Sequence, residues 1–178
     1  MREIPYGLPV EHLRKLQFLT GEFSGSQCMK LPGEKGATAM DSRWTGSWEP
    51  CDRYLHITQF TNNRRHQVHD SVHIMATYQI ERHQYVFWVF ASSSAEILHL
   101  AGEFHGDTLA LLGTKTGAGN PAEDVRLFLT PTRRGFDLNC QHWEPMGWSP
   151  YCDCEYTVNE PALTRHEPRI PWPPRGLG

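Results

Sequence analysis

The chain reads as an all-β protein: a roughly ten-stranded antiparallel, up-and-down β-barrel capped by one short N-terminal helix. Three observations carry this reading. One helical stripe stands near the start and runs into Thr20-Gly21-Glu22-Phe23-Ser24-Gly25. Strand-like segments follow it to the end of the regular pattern, each bounded by Gly, Pro or Asn turn residues. The clearest of these segments alternate polar with apolar residues, which puts one face in water and the other inside. Closing such strands into a barrel leaves no exposed sheet edge, and a small closed barrel either fills its interior or holds one ligand there.

The helix is expected over residues 9–19. Pro9 suits a first helical position, Val10, Leu13, Leu16, Phe18 and Leu19 form an apolar stripe, and Gly21 follows as the stop. A helix this short is marginal alone, so its stripe should plug one mouth of the barrel. Strands are expected near 22–30, 37–48, 53–61, 65–80, 83–91, 96–104, 107–114, 123–131, 134–143 and 150–158. Turn residues separate them, among them Leu31-Pro32-Gly33, Asn62-Asn63, Gly106-Asp107, Arg134-Gly135 and Pro145-Met146-Gly147. Val68, Asp70, Val72, Ile74, Ala76 and Tyr78 form the inward phase of their strand, against His69, Ser71, His73 and Thr77. Tyr85-Val86-Phe87-Trp88-Val89-Phe90 is apolar in both phases, so both of its faces should be covered. The cover is either the helix or the tail, or a second copy in a homodimer.

At 178 residues the length is that of one domain. The barrel is expected over 1–160. Residues 161–178 carry five prolines and no periodicity, which suits an extended arm from which Ile170 and Trp172 could dock. A net charge of −3 and a pI near 6.3 argue against nucleic acid as a partner. No apolar run has the length of a membrane helix, and Met1 to Pro5 lack the apolar core of a signal peptide. The expectation is a soluble cytoplasmic protein without membrane insertion. Five cysteines, an odd number, should then be reduced thiols.

With the strands placed, the chain resembles a family of largely uncharacterised bacterial lipocalin-like (calycin) barrels. The likeness rests on Leu16 to Gly25, on Arg43-Trp44 with Gly46, on Asp52-Arg53-Tyr54-Leu55, on Ala76-Thr77-Tyr78 leading to Gln84-Tyr85-Val86, and on Leu100 to Gly113. It is distantly similar to nitrobindin-like and fatty-acid-binding-protein-like barrels. The resemblance implies the barrel fold. Nitrobindin-like barrels bind haem through a histidine, so haem on an inward histidine is an implied alternative, although His166 in the proline-rich arm does not match their ligand position. Phe23 stands where the broader lipocalin pattern has Trp, and a ring of that size still closes the barrel floor. The last strand has no arginine beside Tyr156, which argues against a fatty-acid carboxylate as ligand.

Several side chains could carry chemistry. His69 and His73 share a face but lie about 13 Å apart at the ordinary strand rise, and His66 points the other way, so these read as solvated surface histidines. In the last hairpin Phe136, Leu138, Cys140 and His142 share one phase, and Cys152, Cys154 and Tyr156 share the next. A loop over residues 144–148 would set Cys140 opposite Cys152. Cys140, His142, Cys152 and Cys154 could then form a soft-metal cluster or a thiolate beside an imidazole; as buried free thiols they would be small hydrophobes. Asp70 lies in an apolar phase, where a lone carboxylate is costly unless paired, with Arg43 or Arg53 as candidates. Asp70, His142 and His56 are the acid/base candidates if they share one lumen. Phe23, Trp44, Tyr78, Trp88, His142 and Tyr156 are the expected ligand contacts, with Trp88 and Tyr156 as walls. The function expected is binding of a small, mostly apolar or aromatic molecule in the lumen. The alternatives are a cyclase- or isomerase-type enzyme using the same lumen, and a packed dimeric interaction module.

Overall fold

The structure, a computed structural model, describes residues 10–30, 36–50, 52–63, 68–92, 97–117 and 122–159. The expected arm at 161–178, together with Cys51, His66 and His166, lies outside the described residues. Ten antiparallel strands form a closed barrel in which each strand pairs with its neighbour in sequence, and the first pairs with the last. They are β1 (Gly21–Lys30), β2 (Ala37–Trp48), β3 (Leu55–Asn63), β4 (Val68–Gln79), β5 (Gln84–Ala91), β6 (Ile97–His105), β7 (Thr108–Thr116), β8 (Glu123–Pro131), β9 (Gly135–Glu144) and β10 (Gly147–Val158). The expected fold class holds in strand number, direction and closure.

The N-terminal element differs from the expected single helix. It is a short helix α1 (Val10–Arg14) followed by a 3-10 turn over Gln17–Leu19. The bonds Lys15 N to His12 O and Leu16 N to Leu13 O both span three residues. That tighter period places Leu13, Leu16 and Leu19 on one face, and all three are buried. Val10, expected in the stripe, is exposed. The cap is held by the Trp44 indole N–H, which donates to Leu19 O at 3.0 Å, and by the Tyr85 hydroxyl, which donates to His12 O at 3.0 Å. Gly46 lies under Leu19, and a side chain there would overlap the Leu19 carbonyl oxygen.

Below the cap the barrel is packed with rings. Phe136 meets Phe23 edge-on at 5.1 Å and Trp44 at 4.9 Å, and it stacks on Tyr156 at 4.8 Å. Burying a phenylalanine ring contributes about 2–3 kcal/mol at ordinary transfer coefficients. These rings fill the half of the barrel next to the helix.

The last hairpin keeps the expected pairing of Cys140 with Cys152 but reaches it differently. Glu144 pairs with Gly147 across a two-residue turn, and the register then shifts between Pro150 and Cys152. Pro150 has no N–H to give to a ladder, so a bulge falls there naturally. The bulge turns Tyr151 towards the interior.

Candidate functional site

The far half of the barrel contains a cavity of about 270 Å³. At about 30 Å³ per water in the liquid, this is room for a small organic molecule. Its walls come from the inward phases of β1 and of β3 to β10, with Val72, Ile74, Val89, Leu98, Leu100 and Leu127 among the apolar ones. The apolar phase of each strand therefore becomes wall, as alternation requires.

Charged and polar groups gather at the rim, where the strands approach the connections opposite the cap. Asp70, Lys115, Glu123 and His142 all line the cavity. His142 lies between two carboxylates: Nδ1 is 2.5 Å from Glu123 Oε1, and Nε2 is 3.1 Å from Glu144 Oε1. Lys30 Nζ reaches Glu144 at 3.3 Å, so the chain of charges crosses β8, β9 and β1. The Lys30 hydrogen bond holds the Glu144 carboxyl below its ordinary range, against some opposing desolvation. Asp70 accepts from the Ser92 hydroxyl at 2.9 Å. Arg43 and Arg53, the expected partners of Asp70, are both exposed instead.

A buried polar layer separates the cavity from the ring-packed floor. Gln59 Nε2 donates to Gln27 Oε1 at 2.9 Å and to the Tyr156 hydroxyl at 2.8 Å, with Ser42 Oγ farther off at 3.5 Å. Tyr156 and Ser42 share a bond of 2.6 Å, and Gln27 Nε2 donates to Cys152 Sγ at 2.9 Å. Sequence reasoning singled out none of Gln27, Ser42, Gln59 and Thr61. The signal was present: the Leu55–Ile57 phase of β3, continued by two steps of two, points Gln59 and Thr61 inward.

The expected site residues divide between cavity, floor and outer face. His142 and Asp70 line the cavity. Phe23, Trp44 and Tyr156 belong to the packed floor, and Tyr156 meets the cavity only through Gln59. Tyr78 stacks on His12 at 4.0 Å beside the cap. Trp88 does not form a wall. Its neighbours Phe87 and Val89 take the inward phase, leaving Trp88 on the outer face against His99 at 5.8 Å. Val86, also outward, is fully buried; its partner Thr77 donates to Arg53 O at 2.8 Å, which ties the 52–54 segment across this face. His56 is outward too, with its ring 5.9 Å from that of His73, so it cannot pair with Asp70 in one lumen. Leu55 and Ile57 claimed the core phase.

The thiol–imidazole cluster does not assemble as a metal site, and no group of three ligating side chains converges among the described residues. Burial is the main cause that pushes the Cys140 thiol up to about 12, with Glu123 and Asp153 adding to it. Burial likewise raises Cys154 to about 11 and Cys152 well above its ordinary value. Thiols held protonated in this way are poor nucleophiles. Among the described residues His142 is the histidine that lines the cavity, and it is a poor fit for haem because both of its ring nitrogens are engaged by carboxylates. No described helix is long and apolar enough to cross a membrane.

No protein-family model matches the chain, and no curated protein matches it. Thirteen chains among solved structures do. One is the crystal structure of Rv2717c from M. tuberculosis, similar at a TM-score of 0.62 and 14% identity, over 84% of this chain and 98% of that one. Likeness at that identity speaks for the shared barrel and not for a shared ligand.

Proposed function

We propose that the protein is a lipocalin-like binding barrel that holds one small, mostly apolar or aromatic molecule in the half of its lumen away from the helix. One observation carries this reading: a cavity of about 270 Å³ whose walls are aliphatic and whose rim bears Asp70, Lys115, Glu123 and His142. Apolar walls with a few convergent polar groups are what a small-molecule site requires, the walls supplying affinity and the polar groups orientation.

Native mass spectrometry of freshly purified protein should show a co-purified organic mass. The fluorescent probe N-phenylnaphthylamine should bind once per chain. Ala91→Trp projects a ring from the wall into the lumen and should weaken probe binding by about tenfold or more, since overfilled apolar space rejects a ligand. Absence of both a co-purified mass and saturable probe binding would overturn the reading, as would binding indifferent to Ala91→Trp.

A second reading, an acid–base enzyme of cyclase or isomerase type, is favoured by one specific observation. Asp70 and His142 both line the same cavity, so a carboxylate and an imidazole face a single substrate space.

A further inference from the structure

The buried end of the cavity is polar, which an apolar carrier site does not need. Gln59, Thr61 and Gln27 all line it and are 7%, 3% and 2% exposed. The Gln59 amide is oriented by its nitrogen, which faces Gln27 Oε1 and the Tyr156 hydroxyl at 2.9 and 2.8 Å. Gln27 is oriented in turn by its own nitrogen, 2.9 Å from Cys152 Sγ. The Gln59 carbonyl oxygen is left over. It has no hydrogen-bond partner among the described residues, and it is not sealed off by protein as the side-chain oxygen of Asn62 is. The Thr61 hydroxyl, two residues along β3 on the same face, is in the same position. An acceptor that is buried yet open only to a cavity is satisfied by what enters the cavity.

We infer that Gln59 is the specificity-determining residue of the lumen: its carbonyl oxygen accepts a hydrogen bond from an N–H or O–H group at the buried end of the ligand. The inference rests on the proposed binding of a small molecule in the lumen and narrows it to apolar molecules carrying a donor at their leading end. The Thr61 hydroxyl, donor and acceptor both, adds a second contact for a leading polar group. The ligand's trailing end then lies near Asp70 and His142, about 13 Å from the floor if measured as the four strand steps from Leu138 to His142. A donor-bearing ligand gains over its isostere because the isostere leaves a buried acceptor unpaired.

The experiment uses three bicyclic probes of nearly one shape: indole, which carries an N–H donor; benzofuran, which carries only an acceptor; and indene, which carries neither. Titration calorimetry with the full chain should find indole bound about tenfold tighter than either isostere. The double variant Gln27→Leu/Gln59→Leu removes donor and acceptor together, so it leaves no orphan from that pair. It should erase the indole preference, chiefly by raising indene affinity towards that of indole, because no buried acceptor is then left unpaired. Gln59→Met, of similar length, should do the same and serves if the double variant loses cooperative unfolding.

Equal affinities for all three probes in the wild type, with binding blocked by Ala91→Trp, would overturn the inference and leave the lumen reading standing. A preference for benzofuran over indole would overturn it as well. So would an indole preference that survives in both variants. Failure of all three probes to bind a protein that still binds N-phenylnaphthylamine would overturn the inference alone, and failure of N-phenylnaphthylamine as well, with no co-purified mass, would remove the inference and the lumen reading together.

Discussion

Cys140, Cys152 and Cys154 show how far environment decides what a residue is. Each faces inward from the last hairpin. Burial raises two of the thiols to about 12 and about 11 and the third further still, so at neutral pH they act as small apolar groups. Cys28 is exposed on β1. Iodoacetamide at about pH 8 should therefore label Cys28 in the native protein and leave the other three unlabelled until denaturant is added. Raising the pH to about 10 should not bring them level, because the thiolate becomes the major form only near or above the raised values. Peptide mapping by mass spectrometry reads each site separately. Rapid native labelling of Cys140 would instead mean that the hairpin holds a reactive thiolate beside His142. The phase of these cysteines was legible in the sequence, since they share it with Phe136, Leu138 and Tyr156. Their inertness as small apolar groups was one of the sequence's own readings, and what decides for it, burial with the carboxylates of Glu123 and Asp153 beside Cys140, comes from other strands.

Individual elements explain which expectations succeeded. Strands were legible because alternation and turn residues act locally, and the boundaries moved by only a few residues. Trp88 was not, because both phases of β5 are apolar, and only the folded barrel shows that Phe87 and Val89 take the inner one. The short N-terminal helix was legible, but its break after Arg14 into a 3-10 turn over Gln17–Leu19 was not, because a stripe of apolar residues fits both periods. The β6–β7 hairpin adds a constraint of its own. Gly113 pairs with Leu100 and Gly102 with Leu111, so on the inner face a glycine always stands opposite a leucine. A side chain at Gly113 would overlap the His99 carbonyl oxygen, and one at Gly102 the Ala110 carbonyl oxygen. These are backbone atoms, so a new methyl must bend the strand itself. Gly113→Ala should cost about 1–3 kcal/mol in urea unfolding, the ordinary penalty for overpacking. Thr114→Ala, next along the strand, should stay within about 0.5 kcal/mol. Equal effects from the two would show that the hairpin has room to relax.

At the scale of the whole molecule, closure depends on the last strand. β10 pairs with β9 on one side and β1 on the other, so the two ends of the described chain meet in one ladder. It also delivers Tyr156, Cys152 and Cys154 to the interior, and Tyr156 anchors Gln59 beneath the cavity. The ladder runs out just beyond it: Val158 N bonds Arg134 O at 2.8 Å and Asn159 N bonds Glu22 O at 3.0 Å. Every bond that closes the described barrel is thus made by residue 159. A chain ending at residue 160 should unfold in one cooperative transition, with a stability within about 0.5 kcal/mol of the full chain. A chain ending at residue 150 loses most of β10 and leaves β1 and β9 as open edges with unpaired backbone groups. Because total stability is about 5–15 kcal/mol for a domain, loss of a strand with three buried side chains should abolish the cooperative transition altogether. Denaturant unfolding followed by both tryptophan fluorescence and circular dichroism distinguishes the outcomes. If the chain ending at 160 lost several kcal/mol, residues 161–178 would belong to the barrel's own packing and the domain boundary would move to the C-terminus.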